Sequence, residues 1–185
     1  MSEKTVVFED GNAYEKMTGV WSQIVGKEFI EWLNTAGGLS WVDIGCGTGA
    51  FTAQIAKLCS PNQLLGIEPS EAQIEFACKR PMAQQVAFQS GDATALACES
   101  SSFDVATMAL VLYFLPDPAF GMTEMKRVVK LEASSLLMTG MSQEAAYRMS
   151  GFTKSFVNEG SSILCLQPLR FQGWMNSKSF GMRRV

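Results

Sequence analysis

A glycine-rich turn beside an acidic residue is the part of this chain best suited to chemistry. An apolar strand leads through Asp43 into a turn built on Gly45, Gly47 and Gly49, within the stretch Trp41-Val-Asp-Ile-Gly-Cys-Gly-Thr-Gly-Ala-Phe51. Glycine lets the backbone approach a ligand closely, because no Cβ stands in the way. The charge of Asp43 repels a phosphate and attracts a ligand that carries an ammonium and a sulfonium. The motif therefore favours S-adenosylmethionine over a dinucleotide.

Two more strands finish in an acid. The short apolar stretch 63–68 ends in Glu68, and in nucleotide-binding α/β folds an acid at this spacing accepts the ribose hydroxyls. The third strand, 86–90, is followed by Asp92, whose carboxylate can accept a hydrogen bond from the exocyclic amine of adenine. Three acidic strand ends at regular spacing predict one site for a cationic nucleoside.

With these motifs, residues 11–130 resemble the class I S-adenosylmethionine-dependent methyltransferases. The likeness is strongest to the small-molecule branch that includes the ubiquinone and menaquinone biosynthesis enzymes. It implies an α/β fold with a Rossmann-like, doubly wound, mostly parallel sheet, S-adenosylmethionine as cofactor and a small-molecule methyl acceptor as partner. It implies no metal and does not indicate a catalytic residue. The cofactor-binding residues it implies are Asp43, Gly45, Cys46, Gly47 and Gly49 on the methionine side, Glu68 and Pro69 at the ribose, Asp92 and Ala93 at the adenine, Ala109 and Leu110 beside the sulfur, and Tyr14 and Trp21 in an N-terminal lid.

Several of these features have a second interpretation. Tyr14 and Trp21 are equally suited to core packing, and Cys46 to a role through its backbone alone. The pattern Gly45-x-Gly47-x-x-Ala50 also satisfies the dinucleotide fingerprint, which leaves a nicotinamide oxidoreductase as an alternative. A cofactor-binding protein without catalysis is a third.

Composition excludes other classes. The 185 residues contain 47% hydrophobic and 18% charged residues, which is typical of a single globular domain. There is no histidine, so Ser-His-Asp hydrolysis and imidazole metal sites are excluded. A net charge of −3 argues against a nucleic-acid partner. No apolar run is long enough to span a bilayer, and the five cysteines lack a Cys-x-x-Cys spacing, so we expect a reduced, cytoplasmic protein.

Helical and strand patterns alternate as a doubly wound sheet requires. We predict helices over 12–35, 49–58, 71–79 and 117–129, the third capped by Ser70. The predicted strands are 40–45, 63–68, 86–90 and 103–108.

The pattern changes after Lys130. Residues 1–130 carry 9 Lys+Arg and 15 Asp+Glu, whereas residues 131–185 carry 6 and 3, together with nine serines. Family members usually continue with Pro-Gly-Gly and a fifth strand, but here the chain reads Lys130-Leu-Glu-Ala-Ser-Ser-Leu-Leu-Met-Thr-Gly140. We therefore divide the chain into a cofactor-binding core, 1–130, and an atypical segment, 131–185.

A translational frameshift near codon 131 accounts for the change. If one base is restored, the genetic code permits PGGKLAAYDWDVAGGGLP from the codons of Leu131 to about Arg148. Some residues of the shifted frame are fixed by the genetic code. The last base of the Met138 codon and the first two of the Thr139 codon, for example, must encode Asp. In that case the last strands are missing or non-native. The alternative is a divergent tail with 134–139 as the fifth strand.

Overall fold

The computed structural model describes the backbone of residues 20–138, 162–165 and 183–184. Side chains are described within residues 26–130. Four helices and seven strands lie in these ranges. The helices are α1 (Val20–Leu33), α2 (Ala50–Cys59), α3 (Glu71–Cys78) and α4 (Pro118–Val128). The strands are β1 (Ser40–Ile44), β2 (Gln63–Glu68), β3 (Ala87–Ser90), β4 (Phe103–Ala109), β5 (Val129–Met138), β6 (Ser162–Cys165) and β7 (Arg183–Arg184).

The strands form one sheet in the order β3-β2-β1-β4-β5-β6-β7. All neighbouring pairs from β3 to β6 are parallel, and only β7 runs antiparallel. The order reverses at β1, which lies between β2 and β4. A crevice beyond the carboxyl ends of the strands at such a switch point is where open α/β sheets bind ligands.

Side-chain alternation along the central strands fills two separate cores. Val42 and Ile44 of β1 pack in one core with Met125 of α4, whereas Trp41 packs in the other with residues of α1 and α2 such as Phe29 and Ile55. Successive strand residues point to opposite faces, so each face of β1 is covered by different helices. The sheet is therefore doubly wound, as predicted.

The local signals of the sequence explain where the elements start. The side chain of Ser70 accepts a hydrogen bond from the Gln73 amide and caps α3, as expected. Asp117 does the same for α4 by accepting from the Ala119 amide, and Pro118 occupies the first turn. The predicted elements between 40 and 129 are all present, with ends within two residues of those expected. For the first helix, the part before Val20 lies outside the described residues.

The region after α4 contains strands, not a truncated sheet. β5 begins at Val129, directly where α4 ends, and pairs with β4. Its register is irregular at first: Phe103 pairs with Val129 and Val105 with Ser134, so four β5 residues stand opposite one on β4. Regular pairing starts at Ser134, the first residue of the fifth strand in the divergent-tail alternative.

Candidate cofactor site

The predicted site residues from Asp43 to Leu110 lie at the carboxyl ends of the adjacent strands β3, β2, β1 and β4. Asp43 precedes the last residue of β1, Glu68 ends β2, and Leu110 follows β4. The glycine turn, residues 45–49, joins β1 to α2 and crosses this edge. The order of the parallel strands therefore brings together residues that are far apart in the chain.

Asp43 points underneath the turn rather than away from the protein. Its side chain lies on the same face of β1 as Trp41, which is the face that α2 covers. Thr52 of α2 donates a hydrogen bond to its Oδ2 (2.6 Å), and Thr107 of β4 donates to its Oδ1 (3.0 Å). Only 1% of the Asp43 surface is exposed. Its negative charge would therefore act on a ligand above the turn through the electric field and not through direct contact.

The Glu68 carboxylate links the glycine turn to the start of α3 by hydrogen bonds. Its Oε2 accepts from the Gly47 amide and its Oε1 from the Ser70 amide, both at 3.1 Å. The exposed Pro69 lies between these two contacts. Each oxygen retains a second lone pair, so the carboxylate can still accept hydrogen bonds from a ligand.

Both carboxylates are buried, and no cationic side chain among the described residues pairs with either. The ion pairs among those residues, Lys27–Glu31, Arg127–Glu124 and Lys130–Asp104, involve neither of them. Burial raises the pKa of Asp43 to about 6 against the hydrogen bonds from the threonines, and the neighbouring charge of Glu68 adds to the rise. Burial also raises the pKa of Glu68, although the amides of Ser70 and Gly47 oppose it. Within the described part of the chain, the negative charge of the site is therefore not paired with a cation.

The amides of the turn are used inside the protein. Those of Gly45 and Cys46 both donate to the carbonyl of Ile67, at 2.7 and 3.0 Å. That of Gly47 donates to Glu68, and that of Gly49 donates to the carbonyl of Cys46 at 2.9 Å. A turn that holds a pyrophosphate instead directs successive N–H groups at the ligand.

The glycines of the turn are needed for backbone shape and for protein contacts. Gly45, Gly47 and Gly49 have φ angles of 71°, 55° and 74°, a left-handed region that favours glycine. A Cβ on Gly45 would lie 2.9 Å from Cγ1 of Val111 and closer still to its Cγ2. A Cβ on Gly49 would lie 3.0 Å from Cβ of Ala77. The sequence predicted that these positions are glycine so that a ligand can approach the backbone. The structure adds a second reason, which is that a side chain at Gly45 or Gly49 would clash with Val111 or Ala77.

The residues beside the predicted sulfur position are at a backbone turn. Ala109 ends β4 half-buried, and Leu110 adopts a φ of 61°, which is unusual for a residue with a branched side chain. This conformation redirects the chain so that Val111 packs against Gly45. Strained backbone of this kind is concentrated at functional sites.

Asp92 and Ala93 form a separate turn after β3. Oδ1 of Asp92 accepts from both the amide and the hydroxyl of Thr94, each at 2.8 Å, while the residue itself is exposed. Ala93 is buried in the core that contains Ile67 of β2. The amide of Gly91 donates to the carbonyl of Glu68, which ties this turn to the ribose side of the predicted site.

Three predicted residues need separate mention. Tyr14 and the side chain of Trp21 lie outside the described residues, so the lid stays a prediction. Cys46 is buried, and burial together with the charges of Asp43 and Glu68 raises the pKa of its thiol well above the usual range. A thiol held in its protonated form is a poor nucleophile, which fits a residue that contributes through its backbone.

Sequence reasoning missed four residues that shape the site: Thr52, Arg80, Thr107 and Val111. Thr107 had a signal, since it is the polar residue at a buried position between apolar neighbours in β4. Thr52 follows the glycine turn by three residues and so belongs to the first turn of α2. Arg80 and Val111 carry no recognisable motif, and their roles depend on the packing of distant segments.

Comparison with known proteins now identifies the family. A family model described as a methyltransferase domain matches residues 42–136. The chain belongs to the methyltransferase-domain family. This confirms the predicted membership of the class I S-adenosylmethionine-dependent methyltransferases, on the ubiquinone/menaquinone-like branch.

A curated relative agrees with this assignment, and structural neighbours share the fold. A demethylmenaquinone methyltransferase of Lactiplantibacillus plantarum is 32% identical over 109 residues, which cover 56% of this chain and 46% of the relative. The chain thus matches less than half the length of that protein. A SAM-dependent methyltransferase from Aquifex aeolicus has the same fold, with a TM-score of 0.67 at 15% identity, covering 84% of this chain and 89% of the neighbour. The [4+2]-cyclase SpnF also has this fold, with a TM-score of 0.56 at 21% identity over 71% of this chain and 60% of SpnF.

The residues whose side chains are described contain no membrane-spanning helix, metal-binding group or disulfide. No helix within the described residues combines the length and apolarity needed to cross a membrane. The same part of the chain holds no group of three or more side chains arranged to bind a metal. The four cysteines whose side chains are described, Cys46, Cys59, Cys78 and Cys98, are free thiols.

Gly45→Ala tests the steric role of the turn. The φ of 71° and the contact with Val111 should together lower the free energy of unfolding by about 2–4 kcal/mol in urea denaturation. Gly38→Ala is the matched control, because Gly38 has a φ of 80° with nothing within 4 Å of the added Cβ, so only the backbone cost of about 1–2 kcal/mol should remain. The double variant Gly45→Ala/Val111→Ala should recover part of the difference; strictly additive losses would contradict the contact.

Asp43→Asn tests the buried charge through pH. The folded-state pKa of about 6 lies above the reference value of 3.8, so wild-type stability falls as pH rises from about 4 to 6. The fully developed cost is about 3 kcal/mol. Asparagine keeps the shape and carries no charge, so the variant should gain stability relative to wild type as pH rises, when unfolding is compared at pH 4 and pH 7.5. A difference that does not change with pH would show that the Asp43 carboxyl titrates normally.

Proposed function

We propose that this protein transfers a methyl group from S-adenosylmethionine to a small-molecule acceptor. The observation that carries the proposal is the pair of buried carboxylates, Asp43 and Glu68, without a cationic partner in the described part of the chain. A ligand that contains an ammonium and a sulfonium compensates this charge, whereas a neutral or anionic ligand does not.

The residues present fit the cofactor. Glu68 is placed to accept the ribose hydroxyls, and the free Oδ2 of Asp92 can accept from the adenine amine. Carbonyl oxygens of the glycine turn suit the ammonium, because each can accept a second hydrogen bond, whereas four of the turn's amides already donate within the protein. The first turn of α2 follows Gly49, which has no side chain to cap it, so its amides suit the carboxylate of the methionine moiety.

The same turn argues against the dinucleotide alternative. Four amides of residues 45–49 donate within the protein, and Asp43 and Glu68 add negative charge beneath them. A pyrophosphate at this place would meet repulsion from both carboxylates, and four N–H groups of the turn already donate within the protein and do not point at it. The glycine spacing alone does not distinguish the two ligands; the hydrogen bonds around it favour methyl transfer.

Methyl transfer from a sulfonium needs little acid–base catalysis by the protein. The bound cofactor supplies a sulfonium, which is an activated leaving group for attack by the acceptor. The chain contains no histidine, so its contribution is to hold and orient the reactants. Proximity and orientation alone supply on the order of 7–11 kcal/mol in favourable cases. Ala109 and Leu110 are the residues proposed to line the sulfur side.

The relatives suggest which acceptor to assay first. The Lactiplantibacillus plantarum relative and a Lactococcus lactis protein, 35% identical over 97 residues, are both named demethylmenaquinone methyltransferases. We therefore propose a demethylmenaquinone-like quinol as the first candidate acceptor. The free thiols support a reducing, cytoplasmic setting as part of this proposal.

Calorimetric titration tests the ligand class. S-adenosylhomocysteine should bind and NADH should not; the reverse would contradict the proposed function.

Asp43→Asn tests the charge beneath the turn. The substitution should weaken the binding of S-adenosylmethionine about fivefold and the binding of S-adenosylhomocysteine less, because one charge acting across the turn contributes about 1 kcal/mol to binding a cation. Equal losses for the two ligands would show that the Asp43 charge does not act on the sulfonium. Asp92→Ala should weaken both ligands alike, and more mildly.

We also propose that residues 131–185 arise from a shift of reading frame. In support, α4 passes directly into β5, although αβ connections usually contain two to six residues. The four residues between the Val129 and Ser134 pairings, 130–133, lie where family members carry the Pro-Gly-Gly turn. The cofactor-binding core precedes this point. Such a form would bind the cofactor but turn over slowly, because the substrate-shaping strands are replaced.

Sequencing the gene around codon 131 tests the frameshift. A frame-repaired protein should show clearly higher turnover and less aggregation than this form. Both should bind S-adenosylhomocysteine with similar affinity, because the core is shared. An uninterrupted frame in the genomic DNA of this protein and its close relatives would contradict the proposal.

A further inference from the structure

Arg80 contacts the glycine turn from outside the predicted site. It lies two residues after α3 ends, and its Nε donates to the carbonyl oxygen of Thr48 at 2.6 Å. Its Nη2 also donates to the hydroxyl of Thr48 at 3.4 Å. Thr48 is the central residue of the turn between Gly47 and Gly49, and it is almost fully buried.

The contact fixes one peptide plane at both ends. The carbonyl of Thr48 and the amide of Gly49 belong to the same planar unit. Arg80 donates a hydrogen bond to the oxygen of this unit, and the N–H of the unit donates to the carbonyl of Cys46 at 2.9 Å. Because Gly49 precedes α2 directly, the orientation of this plane also sets the direction in which α2 begins.

Arg80 is itself held in place. Its amide donates to the carbonyl of Ala77, and its own carbonyl accepts from the amide of Ala83, so the chain turns tightly around it. The guanidinium lies 5.6 Å from the ring centroid of Phe76. Ala77 of the same helix packs where a Cβ on Gly49 would lie. The end of α3 therefore forms a rigid support for the turn.

The two ends of α3 act on the turn in different ways. At the start of the helix, the Glu68 carboxylate joins the Ser70 amide to the Gly47 amide. At its end, Arg80 holds Thr48. A loop with three glycines loses much conformational entropy when it is ordered, and the hydrogen bonds from Glu68 and Arg80 supply part of that ordering from within the protein.

We infer that Arg80 is a positioning residue for cofactor binding: it orders residues 47–49 from outside the site, so that the ligand meets a preformed turn. The inference rests on the proposed function for the identity of the ligand. It concerns the geometry of the turn and not a contact between Arg80 and the cofactor.

Binding of S-adenosylhomocysteine to Arg80→Ala tests this inference. This ligand lacks the sulfonium charge, so loss of the arginine charge does not by itself favour or oppose it strongly. Losing a hydrogen bond from a charged group to the buried Thr48 carbonyl should raise Kd about tenfold. Arg80→Lys, which keeps one donor and the charge, should restore about half of the loss on a logarithmic scale. Lys79→Ala, at the exposed neighbouring position, is the control and should leave Kd unchanged.

Hydrogen exchange separates positioning from general stability. In the ligand-free Arg80→Ala protein, the amides of residues 47–52 should exchange faster, while those of Val42 and Ala106 in the central strands should not change. Saturation with S-adenosylhomocysteine should slow the turn again. An unchanged Kd, or faster exchange throughout the sheet, would overturn the inference. If the wild type does not bind this ligand, the proposed function fails, and exchange in the ligand-free proteins still decides whether Arg80 orders the turn.

Discussion

The burial of two carboxylates, with no cationic partner among the described residues, is the constraint around which this site is built. Asp43 and Glu68 reach the same edge of the sheet because β1 and β2 are parallel neighbours. In the part of the chain that the structure describes, the groups that donate to them are hydroxyls and amides, from Thr52, Thr107, Gly47 and Ser70. These bonds leave net negative charge in a region of low polarity, which opposes folding. A protein that accepts such a cost at a binding site gains affinity for a cation in return.

The glycine turn shows how a common motif becomes specific for one kind of ligand. Its amides donate to protein groups, and its Cβ positions face Val111 and Ala77, so its shape is set by the protein around it. In the proposed complex, the ligand meets buried negative charge beneath the turn, and four of the turn's N–H groups are already used by the protein. The fold alone does not decide the ligand, because one architecture hosts many functions. The hydrogen bonds around residues 45–49 are the feature that favours the proposed ligand.

Local and tertiary signals agree up to the end of α4 and diverge there. Before Val128, caps, turns and strand patterns all favour the observed elements, as expected of a sequence that specifies its fold. After it, a helix passes into a strand without a connecting turn, and four residues of β5 are accommodated opposite one of β4. The same position marks the change in charge and composition. Two kinds of observation therefore support the proposed boundary of the cofactor-binding core near residue 130.

The sequence by itself determined the helices and strands of residues 40–129, the sheet class and the row of acids at the strand ends. These follow from periodicity and capping, which act over a few residues. Only the tertiary structure decided where the Asp43 carboxylate points, why Gly45 must be glycine and what holds Thr48. Those outcomes depend on Thr107, Val111 and Arg80, each 32 or more positions from its partner in the chain. Such pairs meet because β4 lies beside β1 and α3 ends at the turn, and no local pattern encodes that proximity.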